Sequence, residues 1–266
     1  MKCAINRTIL FLLTAVIVIS CGPSDEDRAG AKLNYAKELL GKSDTVAALL
    51  HLDSIPKLFP KAVYSANAAK NLVSEIEFDL LHKKEEVLDS LLVKIAGLEK
   101  SFDKEKTAYD RYTQFIHKRQ NFQRSWNRSY IQVHLDERGE IYLSSNYHGE
   151  QWLDHVGLRV YDKGDDAKTE EIPVGDPDNH RSDFMEAKWE KVTYRNGKDN
   201  GVMEFIADNI DRRLKAVFLG NRYHYIVLET FDKQAVKDAL DLSGALKEKK
   251  VLEDEIKRLQ AKLNIK

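Results

Sequence analysis

The sequence predicts an α+β protein in which an N-terminal helix pair leads into a long antiparallel helical stalk, with an antiparallel β-domain inserted between the two stalk helices. Three observations carry this expectation. Apolar residues recur three or four apart as far as about Gln120 and again from about Asp232 to the C-terminus. Between roughly Trp126 and Phe231 the period falls to two. Ahead of both lies a short basic-then-apolar segment that reads as a targeting signal. The expected divisions are a signal peptide at 1–20, a flexible acidic tether at 21–30, a helix pair at 31–60, a long stalk helix at 61–122, the β-domain at 123–231 and a C-terminal heptad helix at 232–266.

Lys2 and Arg7 precede the run "ILFLLTAVIVI", Ile9 to Ile19, which is too short for the roughly 20 apolar residues of a membrane span. The next residues, "VISC", match the bacterial lipobox, in which a small residue precedes a cysteine that is acylated and becomes the new N-terminus. Cys21 is therefore the expected lipidation site, with palmitate-type acylation holding the chain to the membrane; an ordinary cleaved signal with an incidental cysteine is the plainer alternative. Cys3 leaves with the signal, so the mature chain holds neither a free thiol nor a disulfide, which excludes cysteine catalysis and thiolate metal sites.

The 42 basic and 43 acidic residues give a net charge of −1. Removing Lys2 and Arg7 takes it to −3, a balance that argues against nucleic acid as a partner. A chain with 32% charged and 42% hydrophobic residues is globular with a large solvated surface.

Residues 22–30, "GPSDEDRAG", lack large apolar side chains and read as a tether. From Lys32, Leu33, Ala36, Leu39 and Leu40 keep helical spacing, "GKS" breaks it, and Asp44 caps a second helix carrying Ala47, Leu50, Ile55 and Leu58, with Pro56 expected to kink or end it. The glycine, the small alanines and the closing "FPKA" resemble one tetratricopeptide-like helix pair, with no second copy at that period.

The long helix to about Gln120 is built on Val73, Ile76, Leu80, Val87, Leu91, Leu98 and Phe102. At the other end Leu242, Ala245, Lys249, Leu252, Ile256, Leu259 and Leu263 alternate steps of three and four, a heptad seam. An intramolecular antiparallel pair is the expected arrangement, because the first stripe is too irregular for a strong self-dimer; two separate oligomerising coiled coils are the alternative. The oligomeric state is left open.

In the central block, "YIQVHL", the turn "DERG" and "EIYLSSNY" predict a β-hairpin over 130–147, and further strands are expected at 156–161, 189–194, 202–207, 214–219 and 223–228. The polar spacer at 162–184 is expected to be a mobile surface loop.

Catalytic fingerprints are missing. None of the five histidines of the block, His134, His148, His155, His180 and His224, has the spacing that aims two imidazoles at one metal, and the acids of "GDPDNHRSD" lack the order of a calcium loop. No nucleophile elbow, phosphate loop or dinucleotide motif occurs, so no metal, cofactor or catalytic residue is expected. A glycosidase is neither supported nor excluded. All three tryptophans and seven of the eleven tyrosines lie in or beside the block. Tyr142, Tyr147, Trp152 and Trp189 are the candidate ligand platform for a sugar or peptide, set against the plainer reading that aromatics brace sheets.

The acylated cysteine, acidic tether, helix pair ending in "FPKA", long charged helix, β-block with "NRSY", "NGVMEFIADN" and "YLSS", and heptad-rich end together resemble the uncharacterised cell-envelope lipoproteins of Bacteroidetes. That resemblance implies an outer-membrane lipoprotein without an assigned reaction. It also implies that Ser24, Asp25, Glu26 and Asp27, directly after the acylated residue, form an export signal for display on the cell surface. The functional expectation is a lipid-anchored, non-enzymatic envelope protein presenting a β-domain on a helical stalk in a binding or assembly role. A glycan-binding or glycan-processing accessory protein and a structural spacer are the alternatives, with the membrane and an envelope protein or glycan as partners.

Overall fold

The computed structural model of the chain describes residues 23–120, 127–184 and 186–265. The signal peptide, Cys21 and Trp126 lie outside the described residues. The chain is α+β with antiparallel sheets, as the sequence predicts. It divides into two units, one of residues up to Lys83 together with those from Arg258, the other Lys84–Lys257. Among the described residues no helix is long and apolar enough to cross a membrane.

The first unit opens with α1 (Asp25–Gly41), α2 (Thr45–Leu58) and the first part of α3 (Val63–Leu98). The expected tether is thus already helix from Asp25. The reason is local: Ser24 is the N-cap, its hydroxyl accepting from the Asp27 N–H, while the Asp27 carboxylate accepts from the Ser24 N–H at 3.0 Å. Asp25, Glu26 and Asp27 fill the first turn, where the helix dipole favours acids, and Glu26 also accepts from the Ser65 N–H at 2.7 Å. Ser24→Ala is expected to cost about 1 kcal/mol of α1 stability. The hydrogen bonds from Ser24 hold the Asp27 carboxyl below its ordinary pKa, so its share of the cap is present at neutral pH and is lost as pH falls through that lowered value. Amide exchange of residues 27–33 at pH 7 and pH 3 checks both statements. Asp44 caps α2 as expected, accepting from the Ala47 N–H. Pro56 sits in the last turn, and the helix ends two residues later. Ala29, Leu33, Ala36, Leu52, Ile55, Ala62, Ala69 and Ile76 form this unit's core.

In the second unit α3 stops at Leu98, far short of the expected 122. Two strands follow where helix was expected, β1 (Phe102–Glu105) and β2 (Gln114–His117). The buried positions of α3 here are Leu91 and Ile95, while Val87, assigned to the apolar stripe, is 49% exposed. The hairpin is β3 (Tyr130–Asp136) and β4 (Ile141–Gly149). Its turn closes with Gly139 N–H donating to Asp136 C=O, and Gly139 has φ +82°, where a side chain strains the backbone. A Cβ there would also lie 2.9 Å from the Ser243 carbonyl of α5 (Thr230–Leu263), whose Ser243 hydroxyl donates to Gly139 C=O.

The remaining strands are β5 (Gly157–Asp162), β6 (Asp165–Lys168), β7 (Asn179–Phe184), β8 (Ala187–Tyr194), β9 (Lys215–Leu219) and β10 (Tyr223–Val227). The spacer expected to be a mobile loop therefore contributes β6 and β7. The expected strand at 202–207 is instead the helix α4 (Val202–Asp208). Its apolar Val202, Met203 and Ile206 bury at helical spacing, so this short run follows the helix period and not the strand's. One sheet runs β1-β2-β3-β4-β8-β7 and the other β10-β9-β5-β6, with antiparallel pairing throughout. Ile131, Val133, Leu135 and Leu143 of the first, Leu158, Val160, Ala216 and Phe218 of the second, and Ala235, Val236, Ala239 and Leu242 of α5 share one core.

Asp232 is buried at the start of α5, accepting from the Glu229 N–H at 3.3 Å. Burial pushes its carboxyl up to about 6, against the opposing pull of that N–H and of Arg128; the Glu229 charge adds to the rise. An acid raised in the fold costs stability above its folded pKa, and that cost vanishes below its ordinary value. Asp232→Asn is therefore expected to stabilise the protein by up to about 3 kcal/mol at pH 7.5 and to be nearly neutral at pH 4, checked by urea unfolding at the two pH values.

Candidate functional site

Alternation along the strands separates the two faces of the larger sheet. Directly paired residues share a face, so Tyr142 lies beside His134, and Trp189 beside His148. Both aromatics stand on the face opposite the core. Ser144, Asn146 and Thr193 form a buried polar floor between them. Tyr147, one residue out of phase, points to the core side instead. It is 7% exposed, its hydroxyl donates to the Gln151 carbonyl, and its ring meets His224 edge-on. Trp152 belongs to the loop after β4, where the Arg181 guanidinium lies 4.1 Å over its ring. Of the four expected platform residues, the fold brings Tyr142 and Trp189 to one face, turns Tyr147 to the core because side chains alternate along a strand, and leaves Trp152 in the loop after β4.

At the Tyr142 end the sheet opens into a cleft of about 490 Å³ lined by Arg111, Tyr112, Arg138, Glu140, Arg195 and Glu204, among others. Two arginine–tyrosine stacks line it. Arg195 lies 3.9 Å over the Tyr142 ring, and Arg138 lies 3.7 Å over the Tyr112 ring. Arg138 is held in place by the half of the turn that precedes it: its Nε and one terminal N–H both donate to Asp136 Oδ2, at 2.9 and 2.6 Å. The other ring face of Tyr142 stacks on His134 at 4.6 Å and 9°. Glu140 and Glu204 are solvent-exposed acceptors at the rim. Such a cleft offers fork-shaped donors stacked on tyrosine rings and exposed carboxylates at its rim, which suits a ligand rich in hydroxyls.

Sequence reasoning missed Tyr112, Arg111, Arg138 and Arg195. Tyr112 and Arg111 lay in a segment read as helix, and Arg195 lay in the turn after a strand. The "DERG" turn was the one available signal, since a turn that presents an arginine beside an aspartate fixes its fork.

A second cluster has the order of a hydrolase triad. Ser145 Oγ lies 3.0 Å from His155 Nε2, and His155 Nδ1 lies 2.9 Å from Glu190 Oε2. Ser145 and His155 are fully buried and Glu190 is 2% exposed, so no substrate reaches the serine in this fold. The glutamate also accepts the N–H groups of Leu153, Asp154 and His155 at 2.7, 3.0 and 2.8 Å. Burial alone would raise its pKa, but the hydrogen bonds from His155, first its side chain and then its N–H, followed by those of Asp154 and Leu153, outweigh it and lower the carboxyl. The cluster fixes the loop 150–155 against the sheet.

Among the described residues no group of three or more histidine, cysteine or acidic side chains is placed to hold a metal ion. The chain matches no family model, no curated protein and no solved structure.

Proposed function

We propose that this protein is a lipid-anchored, non-catalytic cell-envelope protein that binds a glycan in the cleft between the Arg195–Tyr142 and Arg138–Tyr112 stacks. The observation that carries the reading is that cleft: two arginine–tyrosine stacks with exposed carboxylates at the rim. A spacer has no use for such a concavity. Anchoring through Cys21 and the likeness to Bacteroidetes envelope lipoproteins rest on the lipobox and on the order of the segments. In this reading α1 and α2 are a tetratricopeptide-like pair, and α3 and α5 are antiparallel stalk helices with the β-domain inserted between them. Lys84 pairs with Glu255 and Glu77 with Lys262, seven residues down one helix and seven up the other, which supports an antiparallel register.

A glycan microarray probed with the full-length protein in detergent tests the binding. The expected result is a defined set of oligosaccharide signals that Tyr142→Ala and Tyr112→Ala each lower at least about tenfold. Signals indifferent to both substitutions would remove the cleft from the reading. Cys21→Ser is expected to abolish palmitate labelling and release the protein from the membrane fraction. Surface display is tested by protease treatment of intact cells. Because Ser24 and Asp27 cap α1, the informative export variant is Asp25→Asn, which leaves the capping box whole.

A further inference from the structure

On the same sheet face, Lys191 is half-buried with Asn146 and His180 as its directly paired cross-strand neighbours. Among the described residues no carboxylate pairs with it. Four residues on, Arg195 donates from Nε to Asp178 at 3.2 Å and leaves its terminal N–H groups over the Tyr142 ring. The floor beneath is an ordered chain of neutral groups. Asn146 Nδ2 donates to Ser144 Oγ at 3.2 Å, and Ser144 Oγ lies 3.0 Å from His134 Nε2. Burial, reinforced by the charges of Lys191 and Arg195, lowers the His134 pKa to about 3, so the ring is neutral. Two cations, Lys191 and Arg195, thus occupy one face; Arg195 pairs with Asp178, and Lys191 has no carboxylate partner among the described residues. Burial first, then the Arg195 charge, also lowers the Lys191 pKa, the mark of a cation held without its counter-charge.

We propose that this face binds the anionic substituent of an acidic oligosaccharide, with the Lys191 ammonium and Arg195 guanidinium engaging the carboxylate or sulfate while the rest of the sugar occupies the adjoining cleft. The inference rests on the glycan reading of the adjoining cleft. Two cations suit isolated negative groups rather than a phosphate chain, and the net charge of −1 opposes a polyanionic nucleic acid. Gln132, Ser144, Asn146 and Thr193, all neutral, share this face, and of these only the half-buried Gln132 is open to a sugar hydroxyl.

Calorimetry on the full-length protein in detergent tests it, with a galacturonate hexamer, a chondroitin sulfate hexasaccharide and cellohexaose as probes. The expected result is binding of at least one acidic probe that Lys191→Met weakens about tenfold and Lys191→Arg largely restores, with cellohexaose binding unchanged by either substitution. The carboxylate and sulfate probes separate the two sources of negative charge. Binding indifferent to Lys191→Met yet lost in Tyr112→Ala would overturn the anion site and leave the glycan cleft standing. Absence of binding by all three probes would overturn the anion site, and the microarray then decides the cleft.

Discussion

Glu190→Ala is expected to destabilise the second unit by about 3–5 kcal/mol, because it removes a buried carboxylate that several N–H groups share as their acceptor. The carboxylate is the shared partner of the N–H groups of Leu153, Asp154 and His155 and of the His155 ring, so its loss leaves these groups unsatisfied at once, all but that of the half-buried Asp154 in the interior. Glu190→Gln separates the contributions. It keeps the shape and one acceptor oxygen but loses the charge, and its cost is expected to be smaller though still above 1 kcal/mol. The sign with pH follows from the lowered carboxyl. The stabilisation is present above the ordinary glutamate value of 4.5 and is lost as pH falls through the lower folded value. Urea unfolding of wild type and both variants at pH 7 and pH 3.5 gives the test: the gap between wild type and Glu190→Gln narrows at the lower pH. A constant gap would mean that the charge contributes nothing.

Gly220→Ala is expected to cost a comparable amount through a different cause. A Cβ at this position would meet the Leu153 carbonyl oxygen at 2.3 Å and the Asp154 carbonyl oxygen at 2.8 Å, both backbone atoms that no rotamer change can move. The same loop is clamped from this side by Asn221 N–H donating to Leu153 C=O and Asn221 Nδ2 donating to Asp154 Oδ2. Overpacking costs about 1–3 kcal/mol where side chains can yield, and a contact between backbone atoms belongs at or beyond the upper end. The thermal midpoint should fall by several degrees, and amide exchange should accelerate at residues 153–155. If the midpoint holds within a degree, the β9–β10 turn is free to shift and the clamp is weaker than its geometry suggests. In the double variant with Glu190→Ala the two costs are expected to fall short of additive, since each releases the same loop.

The parts of the fold that could be read from the chain are those where one local rule acts alone. The β3–β4 hairpin follows from strict alternation around "DERG", and the α2 cap follows from Asp44. Of the expected seam of α5, Leu242, Ala245 and Ile256 are buried, while Leu252, Leu259 and Leu263 are half-buried. Errors arose where two rules compete. The run at 22–30 has the composition of a linker, yet Ser24 and Asp27 satisfy each other's backbone and carry α1 back to Asp25. The segment from Phe102 to His117 lacks proline and glycine and so reads as helix. Pairing of β2 with β3, which no local pattern announces, makes it sheet.

The candidate site divides in the same way. Tyr142 was assigned to the outer face from its phase against Ile141 and Leu143, and its exposure to the cleft follows from that phase. The same alternation, applied one residue at a time, excludes Tyr147 from the platform. Composition, the lipobox and periodicity were enough to predict the α+β class, the lipidation candidate and the sites where aromatics gather, because charge, apolar spacing and cap chemistry act within a few residues. Tertiary structure alone decided that Arg138 and Arg195 stack on tyrosines 26 and 53 residues away along the chain, that Ser145, His155 and Glu190 meet, and that among the described residues no carboxylate pairs with Lys191. Those facts depend on strand order and register, which are set by the free energy of closing long loops around a shared core rather than by any stretch of sequence.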